Sequence, residues 1–531
     1  MNIMDKAVSL IHLIASLIKA GDLKNSLKRM DEFEKNNLDE RLYKFYKSGF
    51  LIDIGVGLKS EKIIKDGIVA GELALENAKD GKAQAYLHYC LANGYTDLFE
   101  LTERIATLVD RNIPQSENLW RAKQHLMKAV SIKAVDDAGL TTQLLVNLAN
   151  GLDTLGRSIE AIDVYDEAIS IDKNFSMAIA NRAKALRAFA EISDKYRAAI
   201  YVEVYQDIQS VINNPDLVAV GGQSAKQSFE RELQYIESRF QDKSLLKKKL
   251  KHPKYKTENL SNFEKFYLDL CQKEKLFLNF HIHQDHCEAA IEDPIFIRLI
   301  TKVDDDDTFY KFAKYLNQIK EDYAVARLLL VQSQYRQEDF NRISERTSFV
   351  YALDYSQFNI YTGLLKSAFK DAFNILDKIA VFINDYYQLG FREEDIYFDS
   401  IRGRGRTASL WQDNGVIRKE ILNSENISLY ALYDIYRDFQ SGEHQRIQNI
   451  RNALTHRRLV IYDSGLTDWD SKVDKHNIGY NTMLIETIQL MKLVKAAIIY
   501  LVNFVNVEES KKRKAGGKAI LDMYADTSQF L

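Results

Sequence analysis

Proline is almost missing from this chain: there are four in 531 residues, so little interrupts a long helix, and collagen-like or proline-rich architectures are excluded. Cysteine is scarce as well. Cys90, Cys271 and Cys287 are scattered and odd in number, which argues against a disulfide framework and for a reducing, cytoplasmic setting. Charge is nearly balanced at −3, so any nucleic acid must be held by a local basic patch rather than by overall attraction. No export signal is expected, because the apolar run from Val8 to Ile18 contains His12, follows Asp5 and reads as an amphipathic helix. No membrane association is expected either: Ala496 to Val507 is broken by Asn503 and Asn506 and falls short of the ~20 residues a span needs.

What is present is 46% hydrophobic residues in long periodic runs, which predicts an all-α protein of roughly two or three domains. Composition divides the chain into 1–240, a basic linker and helical junction at 241–345, a bundle at 346–513 and a tail at 514–531. In the first part the clearest unit begins near Thr142. Leu145, Leu148, Ala149 and Leu152 form one helix face, Gly156 marks a turn, and Ala161, Tyr165 and Ala168 form the second face. Asn181-Arg182-Ala183 follows Asn147-Leu148-Ala149 by 34 residues, with Ile179 and Leu186 in the matching apolar places. Fainter units lie at Leu10 to Phe33, around Gly21, and at Ala92-Asn93-Gly94-Tyr95, whose second helix, with Ala122, Leu126 and Ala129, comes after an extra loop containing Pro114. This pattern resembles the tetratricopeptide repeat in period, two-helix pattern and Gly position, and departs from it at Lys173, where that family usually has proline. The resemblance implies a helical solenoid whose concave surface binds a protein, peptide or small-molecule trigger; a scaffold that only packs against the rest of the chain is the alternative.

The junction opens with Lys247, Lys248, Lys249, Lys251, Lys254 and Lys256 around His252, Pro253 and Tyr255, either a solvated linker or a phosphate contact. His281, His283, His286 and Cys287, with Glu288 beside them, make a weak alternative metal set. An extended Leu278 to His283 would point His281 and His283 to one side, yet the spacing matches no metal motif, and packing or hydrogen-bonding roles serve as well. The run Asp304 to Asp307 reads as an exposed turn.

From Tyr355 to Tyr387 one long helix is expected, with Phe358, Tyr361, Leu365, Ala368, Ala372, Ile375, Ile379 and Phe382 along one seam and Asp371, Asp377 and Asp385 beside it. Arg402-Gly403-Arg404-Gly405-Arg406 cannot make a stable helix; its three guanidinium groups either grip RNA phosphates or decorate an exposed insertion. A second helix spans Ser428 to Phe439 and is broken at Ser441-Gly442. A last one runs from Tyr480 to Asn506, and the basic Lys511-Lys512-Arg513-Lys514 suits a helix C-terminus.

Between these helices, Gln445 to Arg458 puts Ile447, Ile450, Ala453 and Leu454 on one side of a helix and Arg451, Asn452, Thr455 and His456 on the other. An arginine that never loses its charge thus lies five residues before a histidine that exchanges protons near neutrality. Arg451-Asn452-Ala453-Leu454-Thr455-His456 resembles the Arg-x4–6-His signature of the HEPN superfamily, small α-helical domains of which many are RNases; the likeness covers Arg346 to Arg513. It implies metal-independent RNA cleavage without a cofactor, Arg451 and His456 being catalytic and Asn452 orienting the histidine or contacting the scissile phosphate, a helix-face hydrogen bond being its alternative role. Arg457 and Arg458 would be peripheral phosphate contacts, and a two-fold homodimer would bring two motif helices together. Such domains also occur as non-catalytic RNA- or nucleotide-binding modules. Fusion to a repeat array fits a toxin or antiviral effector under the control of a sensor.

Overall fold

The computed structural model describes residues 3–35, 40–105, 110–132, 137–190, 196–250, 254–279, 287–299, 306–350, 352–402, 408–472 and 474–514. Their architecture is all-α, with two very small sheets. The chain forms two compact units, one of residues 1–185 and 207–235, the other of 186–206 and 236–531. This division differs from the compositional boundary at 240, because residues 186–206 join the later part of the chain.

In the first unit, α1 (Ile3–Lys19) and α2 (Leu23–Lys35) form a hairpin that turns at Gly21. Three more follow: α3 (Glu40–Gly57) with α4 (Glu61–Asn77), α5 (Gly81–Leu98) with α6 (Glu117–Ser131), and α7 (Ala138–Thr154) with α8 (Ser158–Ile171), each of these pairs packing on the next. Local chemistry sets the starts. Ser60, Asp80, Ser116 and Asp137 each accept a hydrogen bond from the backbone N–H three residues on, which satisfies a donor the helix cannot. Gly156, with φ 86°, turns α7 into α8 in a left-handed conformation. Ala149 and Ala183, related by the 34-residue spacing, are both fully buried and allow close helix approach. At the departure from the repeat pattern, the Asp172 carboxylate accepts from Asn174 N–H at 3.0 Å, so an Asx turn supplies the exit that proline would give. Helices α9 (Ser176–Ala190), α10 (Arg197–Val211) and α11 (Pro215–Glu237) follow, of which residues 186–206 belong to the second unit.

The second unit adds α12 (Asn262–Lys273), α13 (Asp306–Gln334), α14 (Glu338–Glu345), α15 (Ile360–Tyr387), α16 (Lys419–Leu422), α17 (Ile427–Ser441), α18 (Gln445–His456) and α19 (Tyr480–Lys514). The long pair α13 and α15 packs lengthwise, α19 lies on α15 and α17, and α18 crosses α15. The bundle therefore takes in α13, which composition alone assigned to the junction. Leu365, Ala368, Ala372, Ile375, Ile379 and Phe382 are all fully buried on α15, and each large side chain among them contributes about 1.5–3 kcal/mol on leaving water. Helix α15 begins at Ile360 rather than Tyr355 because Asn359 caps it in a reciprocal box with Thr362. Just before the cap, β1 (Ser356–Gln357) pairs antiparallel with β4 (Val460–Tyr462), which pairs parallel with β5 (Asn477–Gly479); β2 (Gln412–Asp413) and β3 (Val416–Ile417) form a separate hairpin. These short strands escape a reading of helical periodicity. Gly442, with φ 90°, ends α17. Residues 480–512 of α19 are long and apolar enough to cross a membrane, a longer stretch than Ala496 to Val507, but 78% of the apolar window is buried inside the fold, as in a core helix.

Candidate functional site

Helix α18 docks on α15 through Ile447, Ile450 and Ala453, buried at three-residue steps, while Leu454 at the edge is half-buried. Docking that stripe leaves Arg451 at the seam. Its guanidinium carbon lies 5.3 Å from the Phe373 ring and 5.6 Å from the Tyr397 ring, and Nη2 stands 3.9 Å from Oδ2 of Asp377 on α15. Nη1 donates to Oδ1 of the Asn452 side-chain amide at 3.2 Å. With about one fifth of its side chain exposed, Arg451 is held on its apolar faces yet keeps donors open to solvent.

Of the three aspartates along α15, the structure selects Asp377. Burial raises its carboxyl to about 6, against the lowering effects of the Phe398 N–H and the Arg451 charge. Asp385 instead receives Lys311 at 2.7 Å and Tyr315 at 2.9 Å. Asp371 is raised by partial burial. Asp377 also does something no local motif announced: its Oδ1 accepts from Phe398 N–H at 2.8 Å and so ties down a tight hairpin. In that hairpin Ile396 bridges Ile401, Tyr397 N–H donates to Ser400 O at 2.9 Å, and Arg402 N–H donates to Asp395 O at 2.8 Å. The fully buried Trp411 donates its indole N–H to Phe398 O at 2.7 Å, anchoring the hairpin to the core.

The hairpin brings Arg402 to the motif. Its Nη2 donates to the Tyr397 hydroxyl at 2.6 Å, with the guanidinium carbon 5.8 Å from the ring that Arg451 also contacts. Arg404 and Arg406 lie outside the described residues.

Asn452 and His456 are exposed on α18, His456 being its last residue. Among the described residues none hydrogen-bonds the His456 ring. Arg457 and Arg458 follow, also exposed. Beyond them Lys366 Nζ donates to Leu459 O at 2.8 Å, so α15 holds both ends of the motif segment. A histidine that sequence reasoning passed over, His476, places Nδ1 3.3 Å from Arg458 O beside the β4–β5 pair. Its distance in sequence from the motif and its single contact through a carbonyl left no local signal.

Elsewhere the sequence candidates divide. Lys247, Lys248, Lys249, Lys254 and Lys256 are exposed, while Lys251 and His252 lie outside the described residues. His281, His283 and His286 also lie outside them. Cys287 is buried, its thiol raised by desolvation, and no group of three or more metal-ligating side chains occurs among the described residues. Asp306 and Asp307 open α13 rather than sitting in a turn; Asp304 is outside the described residues. In the first unit His88 and His125 form a close pair, with Nδ1 atoms 2.8 Å apart and burial lowering them to about 4 and about 3.

No curated protein matches the chain. Residues 303–508, which take in α13, the Arg451 seam and most of α19, match the model of the LA2681-like HEPN family, so the helical bundle is similar to HEPN domains.

Proposed function

We propose that the bundle is a metal-independent endoribonuclease in which Arg451 and His456 act on one phosphodiester. The observation that carries this reading is the contrast within α18: a cation fixed against two rings and a carboxylate, with donors left over, and an exposed imidazole just over one turn away. His456 takes the proton of a ribose 2′-hydroxyl as the 2′-oxygen attacks phosphorus. Arg451 stabilises the charge that builds on the non-bridging oxygens. The P–O5′ bond breaks, and the leaving oxygen receives a proton from a second imidazole, His456 of a second copy across a two-fold contact. The products are a 2′,3′-cyclic phosphate and a 5′-hydroxyl. Asn452, bonded to Arg451, orients that guanidinium toward the phosphate.

The helical hairpins of the first unit serve as the sensor in this reading, a tetratricopeptide-like array that answers a protein, peptide or small-molecule trigger and restrains the nuclease, as in a cytoplasmic toxin or antiviral effector. The test is incubation of the purified full chain with total RNA in chelator, beside Arg451→Ala and His456→Ala. Cleavage by the unmutated chain and loss in both variants supports the enzyme. RNA binding without cleavage by the unmutated chain identifies a non-catalytic module instead. Deleting residues 1–185, which leaves 186–206 of the second unit in place, changes toxicity in cells if the array is the control element; an unchanged growth phenotype removes that part of the reading.

A further inference from the structure

We infer that Arg402 and Arg451, spaced by the Tyr397 ring they share, hold two successive phosphates of one RNA strand, with Arg451 at the scissile phosphate and Arg402 at its neighbour. The inference rests on the ribonuclease reading for the identity of the scissile phosphate. Its basis is a juxtaposition that the motif does not contain. Two guanidinium carbons stand 5.6 and 5.8 Å from one ring centroid, so both cations sit within the reach of adjacent phosphates on a flexible strand. Like charges brought this close repel; the Tyr397 ring beside Arg451, the Tyr397 hydroxyl oxygen that accepts from Arg402, and the Asp377 carboxylate near Arg451 offset that cost without consuming all the donors.

The spacing is built rather than accidental. Asp377 divides its two oxygens between the hairpin and the motif, Oδ1 accepting from Phe398 N–H at 2.8 Å and Oδ2 facing Arg451 at 3.9 Å. Whatever fixes the hairpin therefore fixes Tyr397 relative to Arg451. On the other side, one Arg402 donor is spent on the Tyr397 hydroxyl at 2.6 Å, which orients the guanidinium plane. The rest of its fork faces an exposed surface suited to bidentate phosphate contact. Tyr397 is a positioning residue in this arrangement: it touches both cations and sets the interval at which a strand is read.

Substrates of different length separate this role from a structural one. A dinucleoside monophosphate offers only the scissile phosphate, and a trinucleoside diphosphate offers one more. Arg402→Ala is expected to lower kcat/KM about tenfold on the trinucleotide, the worth of one charge-assisted hydrogen-bond contact, and to leave the dinucleotide unchanged. Tyr397→Phe, which keeps the ring and loses the hydroxyl, is expected to show a smaller loss with the same selectivity. Equal losses on both substrates, or none on either, overturn the inference. A second arm reads binding alone: with a non-cleavable 2′-O-methyl oligonucleotide, Arg402→Ala should reduce the slope of log affinity against log salt by about 0.7, one phosphate contact on a single strand. An unchanged slope overturns the inference as well. If the unmutated chain cleaves no RNA but the slope falls, the ribonuclease reading fails while the paired phosphate contacts stand.

Discussion

Two arginines of the second unit, Arg327 and Arg451, show what separates a cation that holds a fold from one that is available for chemistry. Arg327 on α13 is 4% exposed, and its fork is consumed: Nε donates to the Tyr267 hydroxyl at 2.8 Å, Nη1 to Leu276 O and Asp293 Oδ1 at 3.1 Å each, and Nη2 to Asp293 Oδ2 at 2.8 Å. Its guanidinium carbon also sits 4.5 Å from the Phe277 ring. Arg451 has the same kind of apolar bed but one long ion pair in place of a bidentate one, and its side chain is one fifth exposed. Packing has finished the first residue and only aimed the second. Residue type alone does not distinguish them; the number of donors left unspent does.

That contrast is sharpest under truncation. Arg451→Ala and His456→Ala should each lower RNA cleavage by roughly 10²–10⁴-fold while the thermal midpoint moves little. Arg327→Ala should do the opposite, costing about 1–3 kcal/mol because it leaves the half-buried Asp293 carboxylate without its ion pair and the Leu276 carbonyl without a donor, and should be read by denaturant unfolding rather than by activity. If Arg451→Ala unfolds the bundle, the two arginines are of one kind and the comparison breaks.

A smaller effect comes from Asp377. Its carboxyl is raised to about 6 from 3.8, so the folded chain holds that proton more tightly than the unfolded chain does. The stability it contributes is full below the unfolded value and is lost as pH rises through about 6. Asp377→Asn should therefore be no less stable at neutral pH, yet it should lower cleavage about tenfold by loosening Arg451 and the hairpin. It should also reshape the acid limb of the pH–rate profile near 6, where Arg451 and Asp399 are the charges that face this carboxyl. An identical acid limb in both proteins assigns it to other groups.

The smallest expected effect on cleavage lies in the first unit. His88 and His125 are lowered to about 4 and about 3 by burial, so they stay neutral in the fold while an unfolded chain takes up protons. Their contribution is present above the ordinary histidine value and is lost as pH falls toward 4. Replacing both with leucine should flatten the dependence of the thermal midpoint on pH between 6.5 and 4 and leave cleavage at neutral pH unaltered.

Much of this architecture was legible in the sequence because it is local. Periodic apolar residues mark α15, α17 and α19, Gly156 and Gly442 sit at turns, and the spacing of Arg451 and His456 places both on one helix. What was not legible depends on register between elements distant in the chain. Asp371, Asp377 and Asp385 look alike in sequence, and only the docking of α18 on α15 selects Asp377. Tyr397 reaches Arg451 because Trp411 and Asp377 pin a hairpin, and neither contact leaves a trace in local periodicity. The three-stranded sheet was missed for the same reason: its strands are two or three residues long, and β1 meets β4 across about a hundred positions of chain.

The most direct test is the chemistry of the cut ends. RNA treated with the purified full chain in chelator should carry 2′,3′-cyclic phosphates at the new 3′ ends and hydroxyls at the new 5′ ends, with neither formed by His456→Ala. Intact RNA, or fragments ending in a 3′-hydroxyl and a 5′-phosphate, would contradict the assignment of Arg451 and His456 to phosphodiester cleavage.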